Sequence, residues 1–305
     1  MPQVSVIIPN YNHSNFLVQR IESVLNQTFQ DFEVIIMDDC STDNSRDIIA
    51  QYKEHPKVSQ IVLNEENSGS TFKQWEKGVA LAKGEYIWLA ESDDWCEPSL
   101  LWHLAEGINK DPECVMSYCQ SYFMSLDNSI NYISEHHCLS EVTEGKSYAR
   151  KRMLLRNPVY NASMVLWKRE LFAKISPEFK TYKLVGDWLF WMEIANLGKV
   201  HISGRVLNYF RQHENNVSNK NFKSGLNFLE TVKVINSLFE RKLIDKKDYS
   251  KAFRVQFKEF YKIRKKLNPA YSAETLKLFN NPLTSKNILA PMYLSAIWNK
   301  VKRFS

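Results

Sequence analysis

Two runs rich in β-branched residues, 4–9 and 32–38, bracket a stretch in which Leu17, Ile21, Val24 and Thr28 recur at helical spacing. A switch from strand to helix period and back, over this length, predicts a strand, a crossover helix and a second, parallel strand. The alternation continues with a helix after Thr42, a strand at 61–63, a helix over 71–83 closed by Gly84, and a strand at 86–90. Pro98 opens a further helix to residue 109, and 115–119 reads as a strand. The expectation is an α/β fold, with a mostly parallel sheet and helices on both faces.

Residues 127–144 are polar and unpatterned, which suits a loop over a functional face. Regularity returns at 163–167, followed by a helix over 187–196 closed by Gly198 and a strand at 206–211. Past the polar segment 212–219 the chain changes character and reads as three or four helices broken by Pro269, Pro282 and Pro291. The charge changes with it: residues 1–220 carry 22 Lys and Arg against 28 Asp and Glu, the rest 18 against 6. These shifts divide the chain into a catalytic domain over 1–218 and a basic helical region over 219–305.

An apolar fraction of 44% and a charged fraction of 24% supply a core without suggesting disorder. Five scattered cysteines, an odd number, argue against a disulfide framework and for a reducing compartment. His136, His137 and Cys138 are adjacent but lack the paired spacing of a zinc site, so they read as loop side chains. The first residues enter a strand without a secretory leader pattern, and no stretch reaches the roughly 20 apolar residues of a membrane span. A cytoplasmic protein is expected.

In an open α/β sheet, ligands bind beyond the carboxyl ends of the strands. Those positions are polar here: Pro9-Asn10-Tyr11-Asn12 after the first strand, Asp38 to Asp43 after the second, and Glu91-Ser92-Asp93-Asp94 after the fourth. Neither a Gly-x-Gly-x-x-Gly turn nor a P-loop is present to hold phosphates on backbone amides. Clustered carboxylates can do so instead through a bridging divalent cation, Mg2+ or Mn2+. Adjacent acids after a buried strand are costly unless a ligand or a helix cap uses them, and Asp38, Ser41, Thr42 and Asp43 equally fit capping of the following helix.

The segments VSVIIPNYN, DDCSTD, Asn67-Ser68-Gly69, KGEYIWLAESDDW, GDWLFW and the late Arg211-Gln212-His213 together resemble glycosyltransferase family 2, over roughly residues 1–218. The resemblance implies the GT-A fold and inverting transfer of a sugar from a nucleoside-diphosphate donor, most often UDP-linked, to a hydroxyl acceptor in surface polysaccharide or glycoconjugate synthesis. It also implies that Pro9, Asn10 and Tyr11 line the nucleotide pocket, that Asp39 bonds the base, and that Glu91 and Asp93 approach the donor. Asp94 and Asp93 become metal ligands with His213, Arg211 and Lys73 approach the diphosphate, and Asp187 becomes the catalytic base. Glu91 departs from the commoner Asp-x-Asp-Asp pattern. Trp95 and Trp188 are candidates for stacking on sugar, although tryptophans at such spacings are more often core.

In the basic tail, Phe257, Phe260 and Tyr261 lie beside Lys262, Arg264, Lys265 and Lys266, and residues 292–298 are apolar and aromatic. That composition fits either an interfacial helix on an anionic membrane, where a lipid-linked glycan acceptor would be met, or a solvated helical appendage. No nucleic-acid module accompanies the charge, and nucleic acid is not an expected partner. Two other classes stay open: a degenerate nucleotide-sugar-binding or scaffold protein, and a nucleotidyltransferase, which would need a Gly-rich basic loop after its first strand where this chain has Asn10-Tyr11-Asn12.

Overall fold

A computed structural model describes residues 1–213, 224–285 and 288–289. They fall into two units. The first runs through β1 (Val4–Asn10), α1 (Ser14–Leu25), β2 (Phe32–Asp38), α2 (Ser45–Ala50), β3 (Val58–Leu63), α3 (Thr71–Leu81) and β4 (Tyr86–Leu89). It continues with β5 (Trp95–Cys96), α4 (Leu100–Ile108), β6 (Cys114–Met124), β7 (Ile130–Ile133), β8 (Ser140–Glu144), α5 (Gly145–Tyr148), β9 (Val165–Lys168), α6 (Gly186–Ala195) and β10 (Lys199–Arg211).

The sheet order is β3-β2-β1-β4-β9-β6-β10-β5. β1 pairs parallel with β2 and β4, and β2 parallel with β3, as the alternation predicts. Every residue of β1 and β2 is buried, so these strands are near-continuous apolar runs. β9 then enters antiparallel between β4 and β6, and β6 pairs parallel with β10.

The loop expected over 127–144 instead contains two strands, β7 antiparallel on β6 and β8 antiparallel on β10. All four residues of β7 are exposed, and β8 alternates between exposed and half-buried positions. Such edge strands are held by backbone pairing and leave almost no apolar periodicity to read.

His201 on β10 is buried between Ser117, whose Oγ lies 2.7 Å from Nδ1, and Ser140, 3.0 Å from Nε2. Burial, with help from the charge of Lys110, lowers its pKa from 6.5 to about 4. The unfolded chain therefore takes up this proton first, so the stability contributed by neutral His201 is complete above pH 6.5 and is lost as pH falls toward 4. Urea denaturation across that window should show a shallower pH dependence for His201→Asn than for wild type; parallel curves would show that other groups govern it.

The second unit comprises Arg150–Asn157, Tyr182–Val185 and the described residues from 224 onward. Residues 150–157 and 182–185 thus group with helices later in the chain. Its helices are α7 (Leu226–Glu240), α8 (Lys246–Ile263) and α9 (Pro269–Asn280). Pro269 opens α9 rather than breaking a helix: it sits in the first turn, where Asn268 caps by accepting from Ala270 N at 2.9 Å. Phe257 and Phe260 are core residues packed on Phe279, so they are unavailable to a lipid surface. Lys262, Lys265 and Lys266 are exposed, and Arg264 lies over the Tyr261 ring at 3.4 Å. Residues 292–298, and Pro291 before them, lie outside the described residues. Among those described, no helix is long and apolar enough to cross a membrane.

Candidate active site

The site lies where β1, β2 and β4 end. Ile7 O accepts from Ala90 N and Asn10 O from Asp39 N, so odd-numbered residues of β1 turn their backbone toward β4 and even-numbered ones toward β2. Pro9, which has no N–H, therefore falls on the β4 side, where the β1–β4 register has stopped at Ile7 and Leu89. The two strands are free to part at that point. Buried Asn10 donates to Asp38 Oδ2 at 3.0 Å and to Ser41 Oγ at 3.2 Å, while Tyr11 beyond it is 47% exposed.

Asp38 and Asp43 are taken up by local hydrogen bonds, although neither residue is the N-cap of α1 or α2. Asp38 Oδ1 accepts from Ser41 N and Arg46 Nε, each at 3.0 Å. Asp43 accepts from Ser14 N at 2.8 Å and Ser45 N at 3.0 Å, the first residues of α1 and α2. Asp39 anchors the segment leading into α3. Its Oδ1 accepts from Asn64 Nδ2, Ser68 N and Gln74 Nε2, and its Oδ2 from Ser68 Oγ at 2.7 Å. Gly69 in that segment has φ +71 and open space where a Cβ would stand, so conformation rather than crowding requires glycine there. Lys73 is exposed at the start of α3 and donates to Ser68 O at 3.0 Å.

The acids after β4 divide by environment. Asp94, expected to bind metal, is turned inward at 1% exposure: Oδ2 accepts from Asn161 and from Ser163 Oγ at 2.6 Å, and Oδ1 from Arg211 N at 3.0 Å. Fully buried Arg20 of α1 stands 3.7 Å from Oδ2 and donates to Glu91 O at 2.8 Å. Burial, then the charge of Asp93, nevertheless raises the Asp94 pKa. Glu91 accepts from Trp75 Nε1 at 3.1 Å, and burial together with Asp93 and Asp94 pushes it up to about 8. Asp93 goes the other way: burial opposes ionisation, but the His213 hydrogen bond and the imidazoles of His13 and His213 outweigh it.

His213 Nε2 lies 3.0 Å from Asp93 Oδ2, and His13, from the turn before α1, completes a group whose three ligand atoms all lie within 4.8 Å of one another. One hard carboxylate oxygen and two imidazole nitrogens form a fitting donor set for a divalent cation. His13 was missed in the sequence because it follows the NYN motif rather than belonging to it. Arg211 braces the group, donating to Asp93 O at 2.8 Å and to Gln19 Oε1 at 2.7 Å with its guanidinium over Trp95. Trp95 is stacked on Tyr209 at 4.8 Å, and Trp188 is buried.

Asp187, half-buried, occupies the first turn of α6. A Cβ on Gly186 would meet Phe179 O at 2.3 Å and the Phe72 ring at 2.6 Å, so this turn is seated directly on the core. A second potential ligand group joins His136, His137 and Cys138 of the β7–β8 connection to Glu141 of β8. There His136 pairs with Glu141 at 2.8 Å and His137 is exposed; the sequence spacing did not show that Glu141 joins these three side chains.

Residues 5–175 match the family model for glycosyl transferase family 2. That match covers more than half of the chain, and the chain belongs to this family. It is 30% identical to the glycosyltransferase GlyG of Streptococcus pneumoniae over 59% of this chain and 56% of GlyG. It is also 30% identical to the putative teichuronic acid biosynthesis glycosyltransferase TuaG of Bacillus subtilis, over 62% of this chain and 71% of TuaG. The chain thus spans little more than half of the first relative. Among solved structures, S. aureus TarS 1–349 in complex with UDP-GlcNAc gives a TM-score of 0.69 at 19% identity, covering 90% of this chain and 79% of that one. The mannosyltransferase PcManGT of Pyrobaculum calidifontis, in complex with GDP-Man and Mn2+, gives 0.57 at 15%, covering 97% and 80%. At these identities the likeness is one of fold, and that fold is GT-A.

Proposed function

We propose that the protein is an inverting, divalent-metal-dependent glycosyltransferase that moves a sugar from a UDP-linked donor to a hydroxyl of a glycan or lipid-linked glycan during surface polysaccharide assembly. The observation that carries this reading is the approach of His213 Nε2 to Asp93 Oδ2, 3.0 Å apart just beyond β4, while adjacent Asp94 is turned inward onto Ser163 and the backbone of Arg211. Asp93 and His213 would hold the cation, which supplies charge stabilisation to the diphosphate leaving group. Tyr11 and the Asp39-anchored segment 67–70 form the nucleotide side of the site, with Lys73 beside it. Asp187 takes the acceptor proton as the oxygen attacks the anomeric carbon opposite the diphosphate. The names of TuaG and of the TarS complex support the polysaccharide and UDP parts of the reading.

Calorimetric titration of UDP and a panel of nucleotide sugars, with Mn2+ or Mg2+ and then with chelator, tests it. One donor should bind with metal and weaken at least about tenfold on chelation, the loss typical of a disturbed metal site. Failure of every nucleotide to bind would overturn the reading.

A further inference from the structure

The Asp93–His213 pair by itself offers a cation one oxygen and one nitrogen. A second imidazole stands beside it. The His13 and His213 rings have centroids 5.6 Å apart and lie at 89° to each other, so they meet edge to face rather than stacking. His13 Nδ1 is engaged by Ser92 Oγ at 2.8 Å, which leaves Nε2 as the nitrogen available to a cation. Ser92 is 2% exposed and sits next to Asp93, so one turn after β4 holds a cation ligand and also orients the His13 ring. When Nδ1–H donates to that hydroxyl, the Nε2 lone pair is free to coordinate, the usual way a buried partner fixes a metal-binding tautomer.

We propose that His13 is a third protein ligand of the catalytic cation, and that its imidazole sets the metal preference of the site. The inference rests on the reading of Asp93 and His213 as the cation site and adds one ligand to it. Two nitrogens and one oxygen make a poor site for Mg2+, which demands oxygen ligands and keeps its waters. The same set favours first-row transition ions, in the order Co2+ above Mn2+. The ring's other contact is an edge-to-face approach to Phe16 at 6.1 Å, and the His13 side chain makes no capping bond to α1. Its replacement therefore removes a ligand without removing a helix cap.

The test is cation binding, read without turnover. Chelator-stripped full-length protein is titrated with Co2+, Mn2+ and Mg2+ by calorimetry, with and without saturating UDP, and the visible absorption of bound Co2+ is recorded. Wild type should bind Co2+ and Mn2+ more tightly than Mg2+. His13→Ala, with an unchanged melting temperature, should lose about 10- to 100-fold in Co2+ and Mn2+ affinity, at least the loss caused by removing an outer-shell partner. It should also shift the Co2+ spectrum and change Mg2+ affinity by no more than about threefold, since Mg2+ draws little from imidazole. Ser92→Ala should show a smaller loss of the same kind. Wild-type Co2+ affinity and spectrum in His13→Ala, with binding abolished in His213→Ala, would overturn the role of His13 and leave the cation site standing. Absence of cation binding by wild type, with or without UDP, would instead remove the cation-site reading and this inference with it.

Discussion

Asp187→Asn should leave metal-dependent donor binding within about threefold of wild type while lowering transfer by on the order of 10²- to 10⁴-fold, the contribution of a positioned general base. The substitution keeps the shape of the side chain and removes its ability to take a proton. Asp187 stands in the first turn of α6, where the helix dipole favours a negative charge. Its place is fixed from below, because Gly186 sits against Phe179 O and Phe72 with no room for a Cβ. Asp187 is half-buried, unlike the inward-facing Asp94. Initial rates with saturating donor, set beside calorimetry on the same protein, separate the two effects. Wild-type turnover in Asp187→Asn would remove the assigned base, whereas joint loss of binding and turnover would make Asp187 part of the donor site.

The sheet was legible where burial on both faces left its mark. β1 and β2 are buried from end to end and mostly apolar, and helical spacing between them predicted the crossover. β7 and β8 were not, because an exposed strand is held by backbone pairing that side-chain chemistry does not encode. Phe257 and Phe260 beside a lysine cluster fitted a membrane face in one dimension, but Phe279, contributed by the next helix, encloses them. In the site, chemical type was readable and orientation was not. Three acids after β4 announced a ligand-binding edge, yet which one points outward depends on Arg20, Asn161, Ser163 and the backbone of Arg211, all distant in sequence. Arg20 did leave a trace: it falls among Leu17, Ile21 and Val24 on the apolar face of α1, where a charge calls for a buried partner.

That geometry separates two adjacent aspartates. Asp93→Asn should keep the fold and lose metal-dependent donor binding by about 100-fold or more, since it removes the one charged oxygen from the cation group. Asp94→Ala should lose stability first. Asn161 Nδ2, Ser163 Oγ and Arg211 N would each be left buried without their carboxylate, and Arg20 would lose its nearest acid, a combination that costs about 3–5 kcal/mol where a buried pair is broken on one side. Asp94→Asn should recover part of that stability, because an amide oxygen can still accept from Arg211 N or Ser163. The contrast is read from urea midpoints and from UDP–Mn2+ calorimetry on the same three variants. If Asp94→Asn lost metal-dependent binding while melting like wild type, and Asp93→Asn kept it, the cation would belong to the inner aspartate. The His13–Asp93–His213 group would then be an ordinary ion pair beside it. Wild-type stability in Asp94→Ala would mean that Arg20 and Arg211 are held by other partners, and that the turn after β4 does not depend on its buried acid.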